Sequence, residues 1–141
     1  MRPSGPPCPP RTRSRFFDGR ILLLEFEPIA EPRGALLPVD FEALPFFPKR
    51  AFVVDRAPPG TTRAGHAQRR GYQLLLRLSG QIAVTMRLGG RTETVALQSD
   101  GHALLIEEPV WKETTYRSTD AVLLVFSSEV FRPEDQIREE S

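Results

Sequence analysis

From Arg20 onward the chain breaks into short apolar runs of four to eight residues separated by Gly, Pro, Asp and Ser, the punctuation of β-strands. The clearest period lies in residues 81–88, where Ile82, Val84, Met86 and Leu88 alternate with Gln81, Ala83, Thr85 and Arg87, as a strand with one buried face requires. Gly89-Gly90 then supplies positive φ at low cost, and residues 91–97 return as the second strand of a hairpin. The same reading predicts strands at 21–26, 35–38, 50–55, 72–78, 103–107, 111–117 and 121–127, about eight or nine in all. Leu74-Leu75-Leu76 and the run from Val122 to Phe126 are continuous rather than alternating. Both their faces are therefore expected to be covered, inside a two-sheet sandwich or at a dimer interface. A helix fits only as one turn at 41–44 and over 133–140, where Pro133 suits a first helical position and Glu134 and Asp135 the anion-favouring first turn. Many evenly spaced short strands predict an all-β barrel or jelly roll.

Composition narrows this picture. The 141 residues suit one domain with one core. Fourteen prolines exclude a helical bundle, and five of them fall in the first ten residues. Residues 1–18 are accordingly expected to form a disordered Pro/Arg-rich tail whose Arg11, Arg13 and Arg15 are solubilising, and 19–141 the single folded domain. With 19 Lys+Arg against 18 Asp+Glu, no global field recruits nucleic acid or an anionic membrane. The N-terminal stretch contains no apolar run of signal-peptide or transmembrane length. Cys8 is the sole cysteine, so neither an intrachain disulfide nor a zinc cluster can support the fold, and the expected compartment is the reducing cytoplasm.

The chemistry concentrates in residues 60–80, GTTRAGHAQRRGYQLLLRLSG. After Gly60, His66 follows five intervening residues, Gln68 stands two further on, Gln73 follows four more residues and Gly80 six more. Side chains at i and i+2 of a strand share a face, so His66 and Gln68 would look the same way. This spacing resembles the first motif of the cupins, small jelly-roll barrels in which the motif spans two adjacent strands. Metal-binding cupins need several histidines and a carboxylate. Here His66 is accompanied by Gln68 and Gln73, and the second motif, Glu108-Pro109-Val110-Trp111-Lys112, ends in lysine where a metal cupin places its last histidine. No metal and no cofactor are expected.

A narrower resemblance covers about residues 19–138. Arg33-Gly34-Ala35-Leu36, Pro45-Phe46 to Lys49-Arg50, Gly65-His66-Ala67, Gln73, Gly80, Pro109-Val110-Trp111 and Glu134-Asp135-Gln136-Ile137-Arg138, in that order, are similar to the WxcM-like branch of the cupins, which includes dTDP-4-keto-6-deoxyglucose 3,4-ketoisomerases. The resemblance implies metal-free proton transfer through an enediol on a dTDP-4-keto-6-deoxyhexose. It implies His66 as the acid/base and Arg33, Gln68, Gln73, Trp111 and Lys112 as substrate-binding residues. Members of that branch usually carry Gly-x-His-Ala-His, a tyrosine on the preceding strand and Trp-His in the second motif. This chain has Gln68 for the second histidine, Phe52 and Val53 near the tyrosine position, and Lys112 after Trp111. Glutamine cannot take a proton at neutral pH but can bond a hydroxyl or carbonyl. Lys112, Tyr72 and Tyr116 are candidate assistants if they face the cavity, Lys112 as an ammonium that binds a diphosphate or stabilises an enolate. His102 reads as an exposed turn residue and Arg69-Arg70 as a solvated hairpin tip. The expected partner is a nucleotide-sugar substrate bound to a homodimer, with no nucleic acid and no membrane. Two alternatives stay open: a non-catalytic cupin module holding a nucleotide sugar or small polar ligand, and an isomerase or epimerase for a different keto sugar.

Overall fold

In the computed structural model, which describes residues 9–138, two antiparallel sheets face each other as a β-sandwich. The strands are β1 (Arg11–Phe16), β2 (Ile21–Glu25), β3 (Ile29–Glu31), β4 (Gly34–Leu36), β5 (Arg50–Val54), β6 (Thr61–Gln68), β7 (Tyr72–Ser79), β8 (Ile82–Leu88), β9 (Arg91–Leu97), β10 (His102–Glu107), β11 (Trp111–Tyr116), β12 (Val122–Ser127) and β13 (Gln136–Ile137). One sheet runs β1-β2-β10-β7-β12-β5, the other β13-β6-β11-β8-β9, and β3-β4 form a separate ribbon. The all-β jelly-roll expectation is met. The hairpin about Gly89-Gly90 is β8-β9, with Val84 opposite Val95 and Leu88 opposite Arg91.

Strand alternation splits the core in two. Ile21, Leu75, Leu104, Ile106, Leu123 and Val125 face inward and meet Ile82, Val84, Met86 and Leu97 of the opposite sheet. Their neighbours Leu24, Leu74, Leu76, Ala103 and Leu105 point outward, where Phe46 and the flanking Leu37, Val39 and Leu44 cover them. This explains the continuous apolar runs of β7 and β12: both faces of the six-stranded sheet are covered, the outer one by the chain's own segment between β4 and β5. Phe46 stacks on Tyr72 with centroids 5.7 Å apart, and Phe41 meets Phe126 edge-on at 5.3 Å.

Four expectations are corrected. Residues 11–16 are not a disordered tail: β1 pairs antiparallel with β2, and Phe17, in the turn that joins them, is buried in the inner core. The polar, Arg-rich composition concealed this strand because its pairing rests on the backbone ladder along the edge of β2, with Arg13 bonding Glu25 at 3.3 Å. Residues 1–8, with Cys8 and three of the five N-terminal prolines, lie outside the described residues. Of the helix expected over 133–140, the described part is instead a 3-10 turn, Pro133–Asp135, and then β13, in which Gln136 pairs with Gln68 and Ile137 with Ala67; residues 139 and 140 lie outside the described residues. The open edge of β6 offers backbone partners that outcompete continued helix. Arg69-Arg70 do not tip a hairpin, since β6 and β7 belong to different sheets. Instead they hold that C-terminal segment: the Arg69 amide donates to the Asp135 carbonyl at 2.8 Å, its Nε to the Glu134 carbonyl at 3.0 Å, and Arg70 pairs with Asp135 at 3.4 Å. His102 opens β10, half-buried opposite Glu25, rather than sitting exposed in a turn.

If the segment between β4 and β5 is anchored by its one buried aromatic, Phe46→Ala should lower unfolding free energy by about 3–5 kcal/mol. Urea denaturation measures this, and an unchanged midpoint would mean that the outer cluster does not hold the segment.

Candidate active site

The sandwich opens at one end into a cavity of about 180 Å³ between the sheets. Drug-sized pockets run to roughly 300–1,000 Å³, so this one has room for about a single sugar ring and not for a whole nucleotide sugar. β6 and β11 supply Arg63, His66, Gln68, Lys112, Thr114 and Tyr116 from one sheet. From the other, β5, β7 and β12 supply Arg50, Phe52, Gln73, Leu75, Leu123 and Val125.

A bulge sets the phase of β6. Lys112 pairs with His66, but the next residue, Glu113, pairs with Ala64, so Gly65 is an extra residue on β6. Ala64 and Gly65 adopt φ of 76° and 73°. Without the extra residue, strict alternation would turn either Arg63 or His66 away from the cavity, since they are three positions apart. With it, both line the cavity, and Gln68 follows two residues later.

Across the strand pair from His66 stands a buried ion pair. Lys112 Nζ donates to Glu108 Oε2 at 2.7 Å and to the Val110 carbonyl at 3.2 Å. The two side chains are 4% and 0% exposed, so solvent does not screen them. Glu108 Oε1 also accepts the Val110 amide at 3.0 Å and the Gln68 amide at 3.5 Å, which ties the start of β11 to the end of β6. Burial, and next the Lys112 ammonium, lower the His66 imidazole from its ordinary 6.5; a hydrogen bond with the Ala64 backbone and the Glu108 carboxylate oppose this less strongly. His66 is therefore neutral at pH 7 and able to accept a proton. Deeper in, burial raises the Tyr116 phenol above 10.0, while Thr114 Oγ1 donates to its oxygen at 3.0 Å. Tyr116 thus stays a neutral hydroxyl.

His66, Gln68, Gln73 and Lys112 all converge on this cavity, and Gln136 joins them through β13. Trp111 does not: with Lys112 and Thr114 turned inward, alternation sends Trp111 to the outer face, where the Arg87 guanidinium lies 4.5 Å from its ring. Arg33 also stands apart, exposed in the turn between β3 and β4 and outside the cavity lining. Of the two tyrosines, Tyr116 faces the cavity and Tyr72 the outer cluster. Phe52 lines the cavity, while Val53 is exposed on the other side of β5. Sequence reasoning gave no role to Arg50, Arg63, Thr114 or Glu108. The two-residue period through Phe52 and Lys112 could have found Arg50 and Thr114; no local signal marks Glu108, whose partner is reached only through the turn before β11. Among the described residues no three His, Cys, Asp or Glu side chains cluster as metal ligands. The donors present are one imidazole, neutral amides and a carboxylate already held by Lys112, a set unsuited to a transition metal.

The family model FdtA, described as WxcM-like, C-terminal, matches residues 20–141. A TDP-4-oxo-6-deoxy-alpha-D-glucose-3,4-oxoisomerase from Aneurinibacillus thermoaerophilus is 27% identical over 118 residues, covering 83% of this chain and 85% of that protein. QdtA, a sugar 3,4-ketoisomerase from Thermoanaerobacterium thermosaccharolyticum crystallised with TDP, superposes with a TM-score of 0.79 at 28% identity, over 85% of this chain and 88% of that one. WlaRB, a TDP-quinovose 3,4-ketoisomerase from Campylobacter jejuni, gives 0.78 at 27% identity, over 84% and 92%.

The buried pair has a stability signature. Lys112→Met alone strands the Glu108 carboxylate in the interior and should cost about 3–5 kcal/mol, whereas Glu108→Gln/Lys112→Met should recover most of the loss. Chemical denaturation of the two variants distinguishes them; equal destabilisation would show that the pair is not energetically coupled.

Proposed function

The chain belongs to the FdtA family of WxcM-like C-terminal domains, and from that membership we propose that it is a nucleotide-sugar 3,4-ketoisomerase acting on a dTDP-4-keto-6-deoxyhexose. The observation that carries this reading is the pairing of a neutral imidazole, His66, with a cavity-lining ammonium, Lys112, on adjacent strands.

In the proposed reaction His66 removes the proton from C3. The C3–H electron pair forms the C3=C4 bond, and the carbonyl electrons move onto O4. Lys112 has two of its donors on Glu108 and Val110, and its third meets the developing oxyanion, the charge that costs most in a low-dielectric cavity. The O3 proton then passes to O4, and the imidazolium returns its proton to C4 while the carbonyl forms at C3. Atoms and electrons balance without a redox partner, and the donor set supports a metal-free route. Gln68 and Gln73 hold sugar hydroxyls through neutral amides, so Gln68 replaces the proton-transfer role of a second histidine with a binding one. The small cavity takes the sugar, leaving the nucleotide at the mouth beside Arg50 and Arg63. We also place this activity in a cytoplasmic homodimer. Among the described residues no helix is long and apolar enough to cross a membrane; light scattering checks the dimer.

The test is exchange of the C3 proton of dTDP-4-keto-6-deoxyglucose in deuterated water, followed by NMR. Wild type should exchange, and His66→Asn should lower the rate by about 10²–10⁴-fold while TDP binding, measured by calorimetry, persists. Binding without exchange in wild type would favour the non-catalytic module; undiminished exchange in His66→Asn would remove His66 as the base.

The pH profile gives a second check. The reaction needs neutral His66, whose pKa lies below 6.5, so kcat/KM for exchange should be level through pH 7 and fall only as pH drops through that lowered value. An acid limb centred above pH 6.5 would contradict the assignment.

A further inference from the structure

We propose that Glu108 is a positioning residue for proton transfer: it holds Lys112 as an ammonium and aims it into the cavity beside His66. The inference rests on the ketoisomerase reading for the reaction but concerns a residue that the resemblance left without a role. The resemblance places histidine after the second-motif tryptophan. Lys112 occupies that position here, and the structure supplies the counter-charge that a buried lysine requires. The two residues act as a unit, because burial disfavours the charged form of a lysine that lacks a counter-charge.

Geometry supports a positioning role over simple bracing. Glu108 Oε2 fixes Nζ at 2.7 Å, the Val110 carbonyl takes a second donor at 3.2 Å, and the Lys112 side chain nevertheless lines the cavity. The charged and titratable groups facing Lys112 are His66 and Arg63 from β6, Arg50 from β5 and Tyr116 from its own strand, with Arg138 beyond β13 close enough to influence His66. All of these are cationic or neutral at pH 7. Among the described residues, Glu108 is the anion beside this set.

The chain has two lysines, Lys49 and Lys112, which allows a chemical readout besides turnover. Reductive methylation with formaldehyde modifies neutral amines, and exposed Lys49 serves as the internal standard. In wild type, Lys49 should be methylated and Lys112 protected; in Glu108→Gln, Lys112 should become methylated at pH 8 with Lys49 unchanged, as mass spectrometry of the peptides would show. In the same variant, kcat for C3 exchange should fall about 10–100-fold, as for other partners that orient a reacting group, with KM changing far less. Because Glu108→Gln alone leaves the buried Lys112 without its partner, Glu108→Gln/Lys112→Met provides a folded variant lacking the ammonium, and its kcat should be equally low. Wild-type kcat in either variant, or Lys112 in wild type methylated as fast as Lys49, would overturn the proposal. If wild type binds TDP but exchanges no proton, the ketoisomerase reading fails, and the methylation contrast alone decides whether Glu108 holds the ammonium.

Discussion

Successive side chains of a strand leave on opposite faces, so what lines the cavity of this sandwich depends on the phase of each strand. Most strands keep one phase throughout: Arg50, Phe52 and Val54 on β5, Lys112, Thr114 and Tyr116 on β11, Leu123 and Val125 on β12. β6 changes phase, because the extra residue Gly65 lets Arg63 and His66 share a face that a regular strand would deny one of them. The glycine of the Gly-His-Ala sequence therefore does structural work at a φ of 73°, where a side chain would be strained. The imidazole reaches the cavity through that one backbone irregularity.

The cavity's electrostatics follow from placement. Two arginines, a lysine and a histidine converge on a space walled by Leu75, Leu123 and Val125, with one carboxylate behind Lys112. A buried ion pair of this kind adds little net stability compared with an apolar pair of similar shape. Its retention is easier to understand as function: it keeps a positive donor in a dry site where the nearby imidazole is driven toward its neutral, basic form. In the proposed reaction, the base and the electrophilic donor are tuned by one arrangement.

The outer face of the six-stranded sheet answers a different demand. Leu74, Leu76 and Leu105 would be an exposed apolar surface were they not covered by the segment carrying Leu37, Val39, Leu44 and Phe46. A continuous apolar strand signals that both faces are covered without saying by what. In this chain the cover is local, so these runs supply no argument for a subunit interface.

Most of the strands, the β8-β9 hairpin, the jelly-roll class and the shared face of His66 and Gln68 are legible in the sequence alone, because a two-residue period and glycine spacing are local properties. Tertiary structure decided the rest. β1 and β13 are strands because free edges of β2 and β6 lie beside them, which no propensity in an Arg-rich stretch or a Pro-Glu-Asp turn encodes. Trp111 faces away from the cavity because its neighbour Lys112 faces into it, and choosing between those two phases requires the opposing sheet. Glu108 is significant only because the turn before β11 brings its carboxylate 2.7 Å from Lys112, a contact whose value comes from the surrounding burial and not from the four-residue spacing.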